Sequence, residues 1–208
     1  MSEYLGLSGV TKFIGYRPIV KNINFQLTPG ELGILTGANG AGKTTLLRIV
    51  ARITPASTGT ITGVESKQIA YLGHRPMIYA ALTCYENLAF FAQFYSTINP
   101  DAILSTLTTV GLAKQRLMRA GQLSRGMQQR LALGRIVLSN TRLVLMDEPF
   151  TGLDSAGISW LTQLLATFQA KGRILLVVSH ELSYLSGLSY RHLHLDQGKL
   201  MMDRQVHE

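Results

Sequence analysis

Apolar residues in this chain follow two rhythms. Short unbroken runs, Leu32-Gly33-Ile34-Leu35-Thr36, Leu143-Val144-Leu145-Met146 and Ile174-Leu175-Leu176-Val177-Val178, have the length and branched side chains of strands buried on both faces. Elsewhere the apolar positions recur at helical spacing. Leu46, Leu47, Ile49, Val50 and Ile53 predict a helix after the first run. Leu131, Leu133, Ile136, Val137 and Leu138 predict a buried helix before the second, and a third helix, from about Ser155 to Lys171-Gly172, separates the last two runs. This alternation predicts a largely parallel α/β sheet. Ile19-Val20 and Ile23 to Leu27 read as β-like runs ahead of a turn at Thr28-Pro29-Gly30. Turns at Thr54-Pro55 and Ser57-Thr58-Gly59 precede a strand over Gln68 to Leu72, Asp196-Gln197-Gly198-Lys199 turns a last hairpin, and the final residues of the sequence are expected to fray. From about 75 to 138 there is no strand signal. Within that stretch Thr83-Cys84-Tyr85-Glu86 fits a capping box opening a helix through about Tyr95, and Asn99-Pro100 fits a cap and first-turn proline for a helix closed by Gly111. The expected organisation is one domain over 1–208 carrying a helical insertion.

Composition narrows the class. At 208 residues the chain can bury a real core, and no stretch reaches the roughly 18 to 20 uninterrupted apolar residues that cross a bilayer. The opening residues lack the basic and apolar regions of a secretion signal, so a cytoplasmic protein is expected. A single cysteine, Cys84, excludes an intramolecular disulfide and a cysteine-rich metal site, and ordinary packing is its expected role. The net charge of +8 is concentrated between Ala102 and Met146, which holds Lys114, Arg116, Arg119, Arg125, Arg130, Arg135 and Arg142 and no acid. These cations are spread over helices without interleaved stacking aromatics, so nucleic acid is not an expected partner.

The chemistry begins at residues 37–44, Gly-Ala-Asn-Gly-Ala-Gly-Lys-Thr, which complete the G-x-x-x-x-G-K-[ST] phosphate-binding pattern. Gly37, Gly40 and Gly42 let the backbone fold tightly, so that the N–H groups of this loop, with Asn39, Ala41 and Thr45 alongside, converge on phosphates at the start of a helix. Lys43 reaches the β- and γ-phosphates and the Thr44 hydroxyl holds magnesium, which makes a nucleoside triphosphate with Mg²⁺ the expected ligand. The strand before the loop and the helix after it stand in the required order. Downstream, Leu143 to Met146 delivers Asp147 and Glu148 at a strand's C-terminal end, where open parallel sheets bind ligands. Asp147 is the expected second metal-holding group, and Glu148 the acceptor of a proton from the water that attacks the γ-phosphate.

Leu123-Ser124-Arg125-Gly126-Met127-Gln128-Gln129-Arg130 resembles the LSGGQ-type sequence of ABC ATPases, and it precedes the Asp-Glu strand as in that family. Thr151-Gly152-Leu153-Asp154 is similar to the family's D-loop, and His180 stands at its switch-histidine position. The resemblance covers nearly the whole chain. It implies an ABC-type P-loop nucleotide-binding fold with an N-terminal antiparallel β subdomain and a helical insertion. It also implies a head-to-tail homodimer, in which Ser124, Gly126 and Asp154 of one copy face the ATP on the phosphate loop of the other, and integral-membrane permease subunits as partners on the cytoplasmic face of the membrane. Arg125 and Met127 depart from the family pattern, which has glycine and glutamine there.

Leu72-Gly73-His74-Arg75-Pro76 resembles the corresponding loop of the ATPase subunit in the cytochrome c maturation system, the CcmA-type haem exporter component, and the small size and Asp147-Glu148-Pro149-Phe150-Thr151 are similar too. His74 then occupies a position where most of the family has glutamine. It orients water or contacts metal-bound water, or else is a loop histidine without a catalytic part. Exporters of a lipid, polysaccharide or drug are the nearest alternative, and a non-transport ABC ATPase acting on nucleic acid is the more distant one. For the adenine, Ile14 stands where the family has a stacking aromatic, and neighbouring Tyr16 is expected to serve instead, unless Tyr16 or Phe13 belongs to the core. His192, His194 and His207 receive no assignment.

Overall fold

The computed structural model describes residues 4–95 and 99–207. Its elements, in chain order, are β1 (Leu5–Ile14), β2 (Arg17–Leu27), β3 (Leu32–Thr36), α1 (Lys43–Val50), β4 (Thr58–Gly63), β5 (Ile69–Leu72), α2 (Cys84–Ala92), α3 (Pro100–Thr109), α4 (Arg125–Ser139), β6 (Leu143–Asp147), α5 (Ser155–Ala170), β7 (Ile174–Val178), β8 (Tyr190–Asp196) and β9 (Lys199–Val206). The chain divides into two compact units. One comprises Met1–Tyr71, Thr141–Pro149 and Ser159–Glu208; the other comprises Leu72–Asn140 and Phe150–Ile158.

The first unit carries two sheets. A three-stranded antiparallel sheet runs in the order β2-β1-β4, and a six-stranded sheet in the order β5-β6-β7-β3-β8-β9. Strands β6, β7, β3 and β8 are parallel, and β9 returns antiparallel beside β8. The three apolar runs lie at the centre of the larger sheet because residues on both of its faces are buried. Leu35, Leu145, Leu176, Val178 and Leu193 join one core with Val10, Val20, Ile23 and Leu27 of the small sheet and Leu46, Leu47 and Ile49 of α1. Their neighbours Ile34, Val144, Met146, Leu175 and Val177 are equally buried, which is why these strands read as continuous apolar runs rather than alternating ones.

Two sequence expectations need correction here. Helix α1 ends at Val50, Arg52 takes a left-handed backbone with φ 61°, and Ile53 is half exposed rather than part of the helix's apolar side. Thr58 and Gly59, read as a turn, open strand β4; it is mostly exposed and is held by pairing with β1. Strand β9 stays paired with β8 to Val206; of the final residues, expected to fray, Glu208 lies outside the described residues.

In the second unit α2, α3 and α4 pack against one another, burying Leu88, Ile103, Leu107, Leu131 and Leu133. The capping box forms: Thr83 Oγ1 accepts from Glu86 N–H at 3.1 Å while Glu86 Oε2 accepts from Thr83 N–H at 2.7 Å. These bonds hold the Glu86 carboxyl below its ordinary range, and Arg119 adds a smaller pull in the same direction. Helix α2 stops at Ala92 and a 3-10 turn continues it to Tyr95. Asn99 caps α3 at Asp101 N–H, Pro100 takes the first turn, and Gly111 follows the helix with φ 73°. Cys84 is buried as packing. Fully buried Asn87 fastens the preceding segment, bonding both N–H and C=O of Tyr79 and the carbonyls of Leu82 and Thr83.

Candidate active site

In the first unit β3 hands the chain at Thr36 to the glycine loop, and Gly42 caps α1 with φ 106°. Lys43 opens the helix with its side chain 6% exposed, curled back so that Nζ donates to the carbonyls of Gly37 at 2.6 Å and Ala38 at 3.0 Å. Burial lowers the Lys43 pKa, and the fields of Glu148 and Asp147 partly oppose that effect. The ammonium is therefore held where negative charge is already gathered.

That charge comes from the end of β6. Asp147, 2% exposed, accepts a hydrogen bond from Thr44 Oγ1 at 2.8 Å, which joins α1 to β6 at the head of the sheet. Glu148 follows in a left-handed backbone, φ 53°, with its N–H donated to the Val178 carbonyl on β7. A glutamate in this region costs roughly 1 kcal/mol or more and persists only where its surroundings hold it. The turn swings the carboxylate off the strand toward the segment after β7, where His180 Nε2 lies 2.9 Å from Glu148 Oε1. Both groups keep access to water, at 46% exposure for the His180 side chain and 26% for Glu148. A cavity of about 280 Å³ is lined by Asn39, Gly40, Lys43, Thr44, Thr45 and Glu148, among others. A nucleophilic water in it would meet a carboxylate base already oriented by an imidazole, beside a loop built for phosphate.

Next to the loop a second cavity, about 530 Å³, is walled by Arg17, Pro18, Ile19, Asn39, Ala41 and Asp196, among others. Tyr16 precedes that wall at the tip of the β1–β2 hairpin and is fully exposed, while Phe13 and Ile14 are 42% and 63% exposed. None of these three belongs to the core.

The second unit gathers the other group of sequence-marked residues. Ser124 caps α4, its Oγ accepting from Met127 N–H at 3.3 Å, and Gly126 passes so close to Gly152 that a Cβ there would lie 3.0 Å from the Gly152 carbonyl oxygen. Asp154 accepts from Gly157 N–H at 2.8 Å and lies 3.8 Å from Arg130. Ser124, Gly126, Met127, Arg130, Gly152 and Asp154 line a cavity of about 440 Å³. His74 stands exposed in the bend after β5.

The ABC transporter family model matches residues 20–151, more than half of the chain. The chain belongs to the ABC transporter family. Among curated relatives of this ABC ATPase, the cytochrome c biogenesis ATP-binding export protein CcmA of Aliivibrio fischeri is 38% identical over 187 residues, 85% of this chain and 92% of the relative. The protein of the same description from Photobacterium profundum is 34% identical over 203 residues, 87% and 94% of the two chains. Its fold matches that of an ATP-binding subunit of an ABC transporter with a TM-score of 0.89 at 24% identity, covering 97% of this chain and 90% of the other. A dimeric bacterial ABC transporter cassette matches with a TM-score of 0.86 at 23% identity, covering 98% and 99%. The parallel sheet, antiparallel subdomain and helices expected from the sequence are those of the ABC nucleotide-binding fold, and the chain is an ATP-binding, ATP-hydrolysing subunit.

One part of this ABC ATPase's site has no counterpart in the sequence reading. Thr36 Oγ1, at the root of the phosphate loop, lies 2.8 Å from both His192 Nε2 and His194 Nδ1 on β8. The turn after β8 meets the same loop, Gly198 N–H donating to the Ala41 carbonyl at 3.0 Å. The last hairpin therefore backs the loop along two edges. Alternation of His192 and His194 with Leu193 and Leu195 was the available signal, since it puts both rings on one face of a strand.

Proposed function

We propose that this ABC ATPase works as a head-to-tail homodimer that clamps two Mg·ATP and drives integral-membrane subunits serving haem export in cytochrome c maturation, on the cytoplasmic face of the membrane. The observation that carries the chemistry is the 2.9 Å approach of His180 to Glu148 beside the phosphate loop. Glu148 takes a proton from water as its oxygen attacks the γ-phosphorus; the bond from that phosphorus to the β–γ bridging oxygen breaks, and ADP leaves. His180 holds the Glu148 carboxylate and the γ-phosphate in register, and Lys43 with the loop N–H groups binds the β- and γ-phosphates. Thr44 and Asp147 fit magnesium, because their oxygens already stand 2.8 Å apart and are the hard donors that ion takes. An ion held by Thr44 and Asp147 would supply positive charge to the phosphates. Adenine is assigned to Tyr16, and the His74 loop and helical insertion to contact with the membrane subunits.

Dimerisation rests on each chain having one phosphate loop and one Ser124 element, so that a two-fold pair completes two sites with one sequence. The dimeric cassettes sharing this fold support it. Among the described residues no helix is long and apolar enough to cross a membrane, and translocation is assigned to separate subunits. The names of the curated relatives and the Gly73-His74-Arg75-Pro76 sequence support the haem assignment. Glu148→Gln is expected to bind ATP, nearly abolish turnover and run as an ATP-dependent dimer in size-exclusion chromatography. Undiminished hydrolysis removes Glu148 from the base role. Purification from native membranes is expected to recover a haem-handling integral-membrane protein, and a different permease would redirect the substrate assignment.

A further inference from the structure

The family pattern has glycine at the position of Arg125, so its side chain is an addition to the Ser124 element. It is the first residue of α4 and is exposed, yet it is not loose. Its Cγ, Cδ and Nε lie 3.5, 3.6 and 3.8 Å from where a Cβ on Gly152 would stand, so the stem rests across the Gly152 turn. Both residues line the 440 Å³ cavity that also contains Ser124 and Gly126. No carboxylate or other acceptor among the described residues holds the Arg125 guanidinium. The one acid lining the cavity, Asp154, is engaged elsewhere, accepting from Gly157 N–H and facing Arg130. No acid lies in the first turn of α4.

Arg125, its stem against Gly152, lines the cavity with Arg130 and the single acid Asp154, which gives the lining net positive charge. We infer that Arg125 is a specificity-determining residue of the ATP sandwich, supplying a positive charge in trans to the γ-phosphate seated on the second copy. The inference rests on the head-to-tail reading above and deepens it. Arginine suits the role because its planar fork matches two phosphate oxygens and stays charged throughout the useful pH range. The γ-phosphate is what ATP has and ADP lacks. A cation aimed at it therefore favours closure on ATP over ADP while leaving nucleotide binding by one copy alone unaffected.

The test uses the full chain in the Glu148→Gln background, where hydrolysis does not erase the complex. Dimerisation constants are measured by sedimentation in saturating Mg·ATP and Mg·ADP, and nucleotide affinity is measured on dilute monomer. Adding Arg125→Gly is expected to weaken ATP-driven dimerisation about 10-fold, reduce its salt dependence, and leave ADP-driven association and monomer affinity within twofold. Arg125→Lys is expected to fall between the two, since it keeps the charge and loses the fork. If the Glu148→Gln parent stays monomeric in Mg·ATP, the sandwich fails and this inference with it. If the parent dimerises and Arg125→Gly matches it within twofold, or if ATP and ADP association weaken equally, the inference alone is overturned.

Discussion

Gly40 and Gly198 have nearly the same backbone, φ 81° and 82°, and very different surroundings. Gly40 is inside the phosphate loop, yet a Cβ there would meet nothing within 4 Å. Gly198 is in the β8–β9 turn, where a Cβ would stand 2.4 Å from the Ile19 carbonyl oxygen and 3.0 Å from its carbon. Placing alanine in a left-handed backbone costs roughly 1 to 2 kcal/mol at either position. At Gly198 the backbone must also give by about 1 Å to reach ordinary contact. Two hydrogen bonds resist, Lys21 N–H to the Gly198 carbonyl at 2.7 Å and Gly198 N–H to the Ala41 carbonyl at 3.0 Å. Losing them adds roughly 1 to 3 kcal/mol. For a chain of this size each kcal/mol lowers Tm by about 2 to 4 °C. Thermal melts without nucleotide should then show Gly40→Ala about 5 °C and Gly198→Ala about 10 °C below the parent, and Gly198→Ala should also weaken fluorescent-nucleotide binding by displacing Ala41. Equal losses in Tm would refute the reasoning.

Two further outcomes follow from local geometry. Thr83→Ala removes the cap of α2 and is expected to cost about 1 kcal/mol, read as a fall of about 2 to 4 °C in Tm; an unchanged melt would show that the helix needs no cap. The His192 pKa is lowered from the usual 6.5, first by burial and then by Arg204 and His194. The unfolded chain therefore binds the proton more readily than the native one. The stability this confers is complete above the unfolded value and is lost as pH falls through it toward the native value, with a slope of at most about 1.4 kcal/mol per pH unit. Urea titrations from pH 7.5 to 5 should show that loss, and His192→Gln should flatten it; an equal slope in the variant would remove His192 as its source.

The central strands and the phosphate loop were legible because each is specified locally: Leu143 to Met146 and Ile174 to Val178 are buried on both faces, and residues 37–44 are consecutive. Strand β4, Thr58 to Gly63, was not, since it is mostly exposed and its strand state comes from pairing with β1, a nonlocal property. Ile53 misled for the opposite reason. Its spacing continues the helical stripe, but the backbone turns left-handed at Arg52 and ends the helix first. Within the site, Glu148 was marked by its place at the end of a strand and His180 by resemblance, each separately, whereas the Thr36 bonds to His192 and His194 span 156 and 158 residues and appear only once β3 and β8 lie side by side.

Arg135 in the middle of α4 donates to the Met77 carbonyl at 2.6 Å and lies 3.7 Å from the centre of the Phe91 ring. The Arg135 side chain is buried, so losing this contact would leave a charge enclosed with fewer partners, at a cost of several kcal/mol. The segment just beyond His74 and the helix that starts at Ser124 are consequently geared together. Separating the two would strip a buried guanidinium of its carbonyl partner, which is a reason for them to stay together.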